Sequence, residues 1–175
     1  MKKNEIKINK VSYGIYGIGY TDKISKKILV EYGIPGDVVI IKEKDEKSSY
    51  TFAKIKEIVK KSCFRDQRMF CPHFWKCGGC TYGDISYKNQ VKIKKNLLNE
   101  MLKREGLKVE QVAFIPSEKK LAYRLRTKLK INRDGFLSYS KLRSNKLIAI
   151  NNCPIVTDGI NKVIKRFNAI VEKSG

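Results

Sequence analysis

The chain has 175 residues, 42% of them hydrophobic and 31% charged. That length makes one ordinary domain or two small ones, and the composition does not suit a disordered, collagenous or membrane-spanning chain. Lys and Arg number 38 against 17 Asp and Glu, a net charge of +21, and so large an excess repels itself in a compact state unless a polyanion, most commonly nucleic acid, relieves it. The basic start is followed by no apolar stretch of signal-peptide length. The longest apolar runs, residues 38–41 among them, are four residues, against the ~20 that a membrane helix needs. A cytoplasmic chain with reduced thiols and no membrane partner is therefore expected. Its five cysteines then point to metal ligands or catalysts rather than disulfides.

In chain order, residues 1–60 read as short strands. Ile6 and Ile8 alternate with polar residues, and residues 11–20 hold three glycines and three aromatics, as a bent strand would. Residues 28–32 form a second strand, and Gly33-Ile-Pro-Gly-Asp37 is a turn by composition. An apolar strand at 38–41, a charged hairpin loop at 42–49 and a strand at 50–59 complete a small antiparallel barrel. Residues 61–83 are aperiodic and hold four of the five cysteines. Residues 87–105 predict a helix with Tyr87, Val91, Leu98, Met101 and Leu102 on one face, Ser86 as N-cap and Gly106 as stop. A strand-rich stretch spans 121–150. Thr157 or Asp158 then caps a last helix, whose stripe of Ile160, Val163, Ile164, Phe167, Ile170 and Val171 is expected in a core. The expected class is α+β, with domains at 1–60 and 61–175. Residues 1–60 carry 13 basic and 8 acidic side chains and the remainder 25 and 9, so the cationic surface belongs mainly to the second part.

The most specific feature is Cys71-Pro-His-Phe-Trp-Lys-Cys77-Gly-Gly-Cys80, three thiols spaced C-x5-C-x2-C. Gly78 and Gly79 let the backbone wrap closely. Three ligands leave a tetrahedral or cubane site one short, and Cys153, which like Cys71 precedes a proline, is the fourth candidate. Four thiolates suit zinc or an iron–sulfur cluster. Structural zinc sites usually present two short pairs, so three ligands plus a remote one lean towards a 4Fe-4S cluster. Cys63 stands outside the group as a free thiol. His73, the only histidine, is not needed as a ligand and is expected to pack beside the site.

Residues 123–131 alternate strictly. Arg124, Arg126, Lys128 and Lys130 point one way, with Tyr123, Leu125, Thr127, Leu129 and Ile131 turned to a core. Four cations in a row complement a phosphate backbone, and Arg also stacks on unpaired bases. Gly14-x-x-Gly17-x-Gly19 is not a dinucleotide loop, because its spacing is wrong and no helix follows.

These residues resemble a family. Gly17-Ile-Gly19 and the 33–37 turn are similar to those of a TRAM domain, an OB-like RNA-binding barrel. The cysteine loop, followed by Tyr82, Tyr87 and Gln90, resembles the cluster loop of the RNA uracil-5-methyltransferases. Tyr123-Arg124, the stretch 135–140 and Cys153-Pro-Ile155 match the same family in order. Leu125 stands where the family usually has Asn, and Ile18 where TRAM domains often carry a polar residue.

The resemblance implies a TRAM barrel, a 4Fe-4S cluster on Cys71, Cys77, Cys80 and Cys153, and a transfer or ribosomal RNA partner. The family's S-adenosylmethionine site, nucleophilic cysteine and general base lie in a further methyltransferase domain that these residues do not match. A target base has to leave its stack to be reached by such an enzyme. The chain alone is expected to grip RNA without catalysing transfer, the cluster being structural. The alternative is a free-standing, non-catalytic RNA-binding TRAM protein with a structural cluster.

Overall fold

The computed structural model describes residues 5–12, 16–21, 24–66, 70–107 and 112–174. They fall into two compact units, Met1–Arg68 with Asp84–Ile115, and Met69–Gly83 with Pro116–Gly175.

In the first unit, apolar residues at every second position turn five strands into a closed barrel: β1 (Glu5–Val11), β2 (Tyr16–Thr21), β3 (Ile24–Glu31), β4 (Val38–Glu46) and β5 (Tyr50–Lys60). The strand order is β1-β2-β3-β5-β4, closed by β4 against β1. All pairings are antiparallel except β3 with β5, which is parallel. Ile6, Ile8, Ile28, Val30, Val39, Ile41 and Ala53 fill the interior. The inward positions of β2 are Gly17 and Gly19: a Cβ at Gly19 would run into Ile6, and one at Gly17 into Ile8 and the Gly33 carbonyl. The α+β class with a small OB-like barrel is as expected. Two local expectations change. The charged stretch 42–49 is mostly strand, because β4 runs on to Glu46 and pairs with β5. The bent strand or bulge expected over residues 11–20 falls partly outside the described residues; within them, the pairing of β2 with β3 shifts register between Gly19 and Thr21.

The 33–37 turn is a structural anchor. Gly36 takes φ +92°, and the fully buried Asp37 accepts from the Ile34 amide (2.9 Å) and the Ser62 amide (2.8 Å). Arg65 donates to both Asp37 oxygens (2.6–3.1 Å), to the Tyr32 carbonyl (2.7 Å) and to Asp84. Burial pushes the Asp84 carboxyl above its ordinary range, against the pull of Arg65. Asp84 leads into α1 (Tyr87–Arg104), whose Ser86 cap accepts from the Asn89 amide (3.4 Å). Gly106, at φ +73°, ends it as expected. Through this network α1 belongs with the barrel, a division that does not coincide with a break at residue 60. Ile93 is the helix's buried side chain, while Tyr87, Val91, Leu98, Met101 and Leu102 are only half-buried.

The second unit has less regular structure. A three-stranded antiparallel sheet of β6 (Lys130–Ile131), β7 (Leu137–Ser140) and β8 (Leu147–Ala149) carries α2 (Asp158–Ser174). Its core is Ile150, Cys153, Ile155, Val156 and Ile164, joined by Leu129, Leu137, Tyr139, Ile160, Phe70 and Cys80. Asn168 of α2 is buried. It accepts from the Leu137 amide (3.0 Å) and donates to the Ile150 carbonyl (2.9 Å) and Asn151 Oδ1 (3.0 Å). The apolar stripe of α2 is split. Ile164 is buried, but Val163 is 61% and Ile170 65% exposed, because nothing in this unit covers their side of the helix. Among the described residues no helix is long and apolar enough to cross a membrane.

Candidate metal centre

Two turns shape the cysteine loop. The Phe74 amide donates to the Cys71 carbonyl (3.2 Å), and the Lys76 and Cys77 amides both donate to the His73 carbonyl (3.1 and 2.8 Å). Between them Trp75 takes φ +69°, a conformation disfavoured for a bulky side chain. The result folds the five-residue spacer back, so that Cys77 approaches Cys71. At Gly78 the backbone meets the β7–β8 hairpin: its amide donates to the Ser140 carbonyl (3.1 Å), and a Cβ would stand 2.9 Å from the Leu142 Cα. Cys77 also bridges Lys141 in antiparallel fashion. The remote Cys153 is held from α2, where Asn161 accepts from its amide (2.8 Å) and donates to its carbonyl (3.1 Å).

Cys71, Cys77, Cys80 and Cys153 thereby line one cavity of about 550 Å³. All are free thiols. Burial pushes the Cys80 thiol up from 9.0 to about 11, helped by charge on Cys153, Cys71 and Cys77 and opposed by Arg124. Cys77 is also pushed up, first by burial and then by Cys153 and Cys71, against the amide of Gly79, which donates to its sulfur (3.4 Å). The sulfurs are thus close enough to feel one another's charge. They surround a cavity rather than a point: among the described residues no three or more His, Cys, Asp or Glu side chains close to the spacing of ligands on a metal ion.

Four thiols without a carboxylate are the donor set of an all-cysteine zinc site or a cubane iron–sulfur cluster, and by that chemistry the residues fit such a group. They would bind as thiolates, so loading has to displace protons. His73 lines the cavity as a neighbour, and Cys63 is exposed and belongs to the first unit.

The cations are placed differently from the expectation. Arg124, Arg126 and Lys128 line the mouth of the thiol cavity and are exposed, as is Lys130 in β6, which does not line it. The core-facing half of the alternation fails at Tyr123, Leu125 and Ile131, which are 51%, 79% and 59% exposed. Only residues 130–131 of this segment join the sheet. Further upstream, the backbone is held against residues 154–157: the Ala122 amide donates to the Pro154 carbonyl (2.9 Å), the Arg124 amide to the Ile155 carbonyl (2.8 Å), and the Arg124 carbonyl accepts from the Thr157 amide (3.1 Å). Without a ladder, alternation sets no common buried face. Thr127 and Leu129 do turn inward. Sequence reasoning passed over Asn161 and Asn168, whose only signal is their place on the buried stripe of the last helix.

No protein-family model matches the chain. An uncharacterized RNA methyltransferase of Caldanaerobacter subterraneus is 33% identical over 185 residues, covering 99% of this chain and 40% of that protein. One of Thermotoga maritima is 31% identical over 169 residues, covering 96% and 38%. The chain's homologues are named RNA methyltransferases. Among them, the 23S rRNA (uracil(1939)-C(5))-methyltransferase RlmD of Aliivibrio fischeri is 24% identical over 178 residues, with coverage of 98% and 40%. The chain spans about two fifths of the length of these relatives. The crystal structure of the Pyrococcus abyssi tRNA (uracil-54, C5)-methyltransferase superposes with a TM-score of 0.66 at 24% identity, over 97% of this chain and 37% of that one. That likeness carries the fold.

Proposed function

We propose that this chain is the RNA-binding and iron–sulfur part of an S-adenosylmethionine-dependent RNA uracil-5-methyltransferase acting on transfer or ribosomal RNA, with residues 1–60 as its TRAM barrel. The observation that carries the proposal is the cavity that joins Cys71, Cys77, Cys80 and Cys153 to Arg124, Arg126 and Lys128, in a chain whose homologues are RNA methyltransferases. A 4Fe-4S cluster on the four thiolates would lock the cysteine loop to Cys153 and so fix the backbone that presents the cations. Its role is structural, since metal ligation couples directly to folding. Arg124, Arg126, Lys128 and Lys130 neutralise RNA phosphates, and the two guanidinium groups stack on unpaired bases. Methyl transfer itself is assigned to residues outside these 175, which hold S-adenosylmethionine and the nucleophile. A cytoplasmic setting follows from the need to keep ligating thiols reduced.

Two measurements test the reading. Protein purified without oxygen is expected to be brown, with about four irons per chain; a colourless protein with a single zinc overturns the cluster. Arg124→Gln with Arg126→Gln is expected to weaken binding to single-stranded RNA and to lower the slope of log affinity against log salt by about 0.7 for each phosphate that is no longer neutralised. Unchanged affinity and slope remove these residues from the interface.

A further inference from the structure

Helix α1 carries six basic side chains and one acidic one between Tyr87 and Arg104, and the site proposed above uses none of them. Four of the six form a stripe. Lys88, Lys92, Lys95 and Lys103 recur at helical spacing, with Asn99 between the last two. All four lysines are exposed. Another side of the helix faces the barrel, where Ile93, Leu97 and Glu100 line a cleft with Val11 of β1 and Pro35 of the 33–37 turn.

A helix that only met solvent would be arranged otherwise. Lysines on such a face gain from a carboxylate three or four residues away. Here Lys88 and Lys92 stand four apart and Lys92 and Lys95 three apart, so each meets its own sign. The helix's one acid, Glu100, is paired with Lys10 of β1 (3.4 Å), and Asp84, four residues before Lys88, is held by Arg65. Lys88 is the second residue of the helix, where the dipole disfavours a cation, and no acidic residue stands in the first turn. Lys92 Nζ lies 5.4 Å from the centroid of the Phe64 ring, a contact that steadies the ammonium without neutralising it. Among the described residues no ion pair neutralises any of the four.

The type of cation points to the type of partner. Lysine is a compact point charge that meets a phosphate without reading a base, whereas arginine also stacks. The stripe holds no arginine and no exposed aromatic ring, so it lacks the platforms that grip unpaired bases. Its cations are fixed on a rigid helix, with Lys88 and Lys103 about 22 Å apart along the axis. Such a row complements phosphates that are themselves held in a row, as on the backbone of a duplex.

We propose that Lys88, Lys92, Lys95 and Lys103 of α1 are a second RNA surface, carried by the barrel unit, that takes the phosphate backbone of paired RNA without regard to sequence. The proposal rests on the RNA-binding reading above and is independent of the metal centre. It divides the work by chemistry: lysines on α1 for the paired part of the substrate, Arg124 and Arg126 for the unpaired part.

The test uses the full chain and two probes, a blunt RNA duplex and an unstructured oligouridine. Lys88→Gln, Lys92→Gln, Lys95→Gln and Lys103→Gln together remove the charge and keep the helix propensity. This variant is expected to bind the duplex about tenfold or more weakly, with a salt slope lower by about 0.9 for each phosphate given up, as on double-stranded DNA, and to hold the oligouridine within about twofold of wild type. Arginine at the same four positions is expected to restore duplex binding. Unchanged duplex affinity and slope in the glutamine variant overturn the proposal, leave the RNA-binding reading standing, and turn the stripe over to an acidic protein surface or to solvent. Equal losses on both probes overturn the assignment to paired RNA. Should the fourfold variant lose its helix by circular dichroism, Lys88→Gln and Lys95→Gln decide singly: a loss on the duplex alone supports the surface, and no loss overturns it. A wild-type chain that binds neither probe overturns the RNA reading and the surface together.

Discussion

The barrel unit and the thiol unit solve the problem of a core in different ways. The barrel closes its hydrogen-bond ladder on itself, fills its interior with aliphatic side chains, and seals one end with the Asp37–Arg65–Asp84 network. The second unit builds a small core that includes Cys80 and Cys153, keeps a cavity beside them, and leaves Leu125, Val163 and Ile170 facing out. The contrast separates a fold whose interior is filled by its own side chains from one that keeps a thiol-lined cavity beside its core.

The comparison breaks most visibly at Asp37. Asp37→Ala leaves Arg65 buried and takes the acceptor from two amides, and a loss of about 3–5 kcal/mol is expected, read by urea unfolding and by hydrogen exchange in β1–β5. Asp84→Asn is expected to cost less, since burial already opposes its charged form. In the second unit the matching position is Asn168. Asn168→Ala strands the Leu137 amide and the Ile150 carbonyl, and about 1–3 kcal/mol is expected per buried group left unpaired, with loss of exchange protection in 137–140 and 147–150. If Asn168→Ala also releases β1–β5, the two units are not separable.

Acidity sharpens the contrast further. The Cys80 thiol is neutral in the metal-free fold up to about 11 against an ordinary 9.0. The stability this neutrality contributes is fully present below pH about 9 and is lost as pH rises towards 11. Metal-free protein is therefore expected to lose protection around Cys80 over that window while the barrel keeps its own, and a Cys80→Ala variant is expected to show a weaker pH dependence, the raised Cys77 thiol keeping its share. The smallest effect belongs to the outward face of α2. Val163→Lys and Ile170→Lys are expected to change stability by no more than about 0.5 kcal/mol, and a larger loss would mean that these side chains are covered after all.

Sequence by itself carried far in the barrel. A period of two at Ile6, Ile8, Ile28, Val30, Val39 and Ile41 announces strands, and the GIPGD turn announces a link between two of them. Both are local signals, one a repeat along the chain and the other the backbone freedom of glycine. The cap at Ser86 and the stop at Gly106 were legible for the same reason. The cysteine spacing likewise marked Cys71, Cys77 and Cys80 as a group.

Tertiary structure alone decided the rest. Alternation over 123–131 is the same signal as in β1, yet Leu125 and Ile131 are exposed, because a period of two specifies a buried face only where a neighbouring strand or helix supplies one. Six apolar residues on α2 say that the helix has an apolar side, not how much of it a partner covers. The parallel pairing of β3 with β5, the attachment of α1 to the barrel through Arg65, and the gathering of Cys153 with Cys71, Cys77 and Cys80 around one cavity each join residues far apart in the chain. Such pairings arise when packing and hydrogen bonding are satisfied for each unit as a whole, and no window of sequence contains that condition.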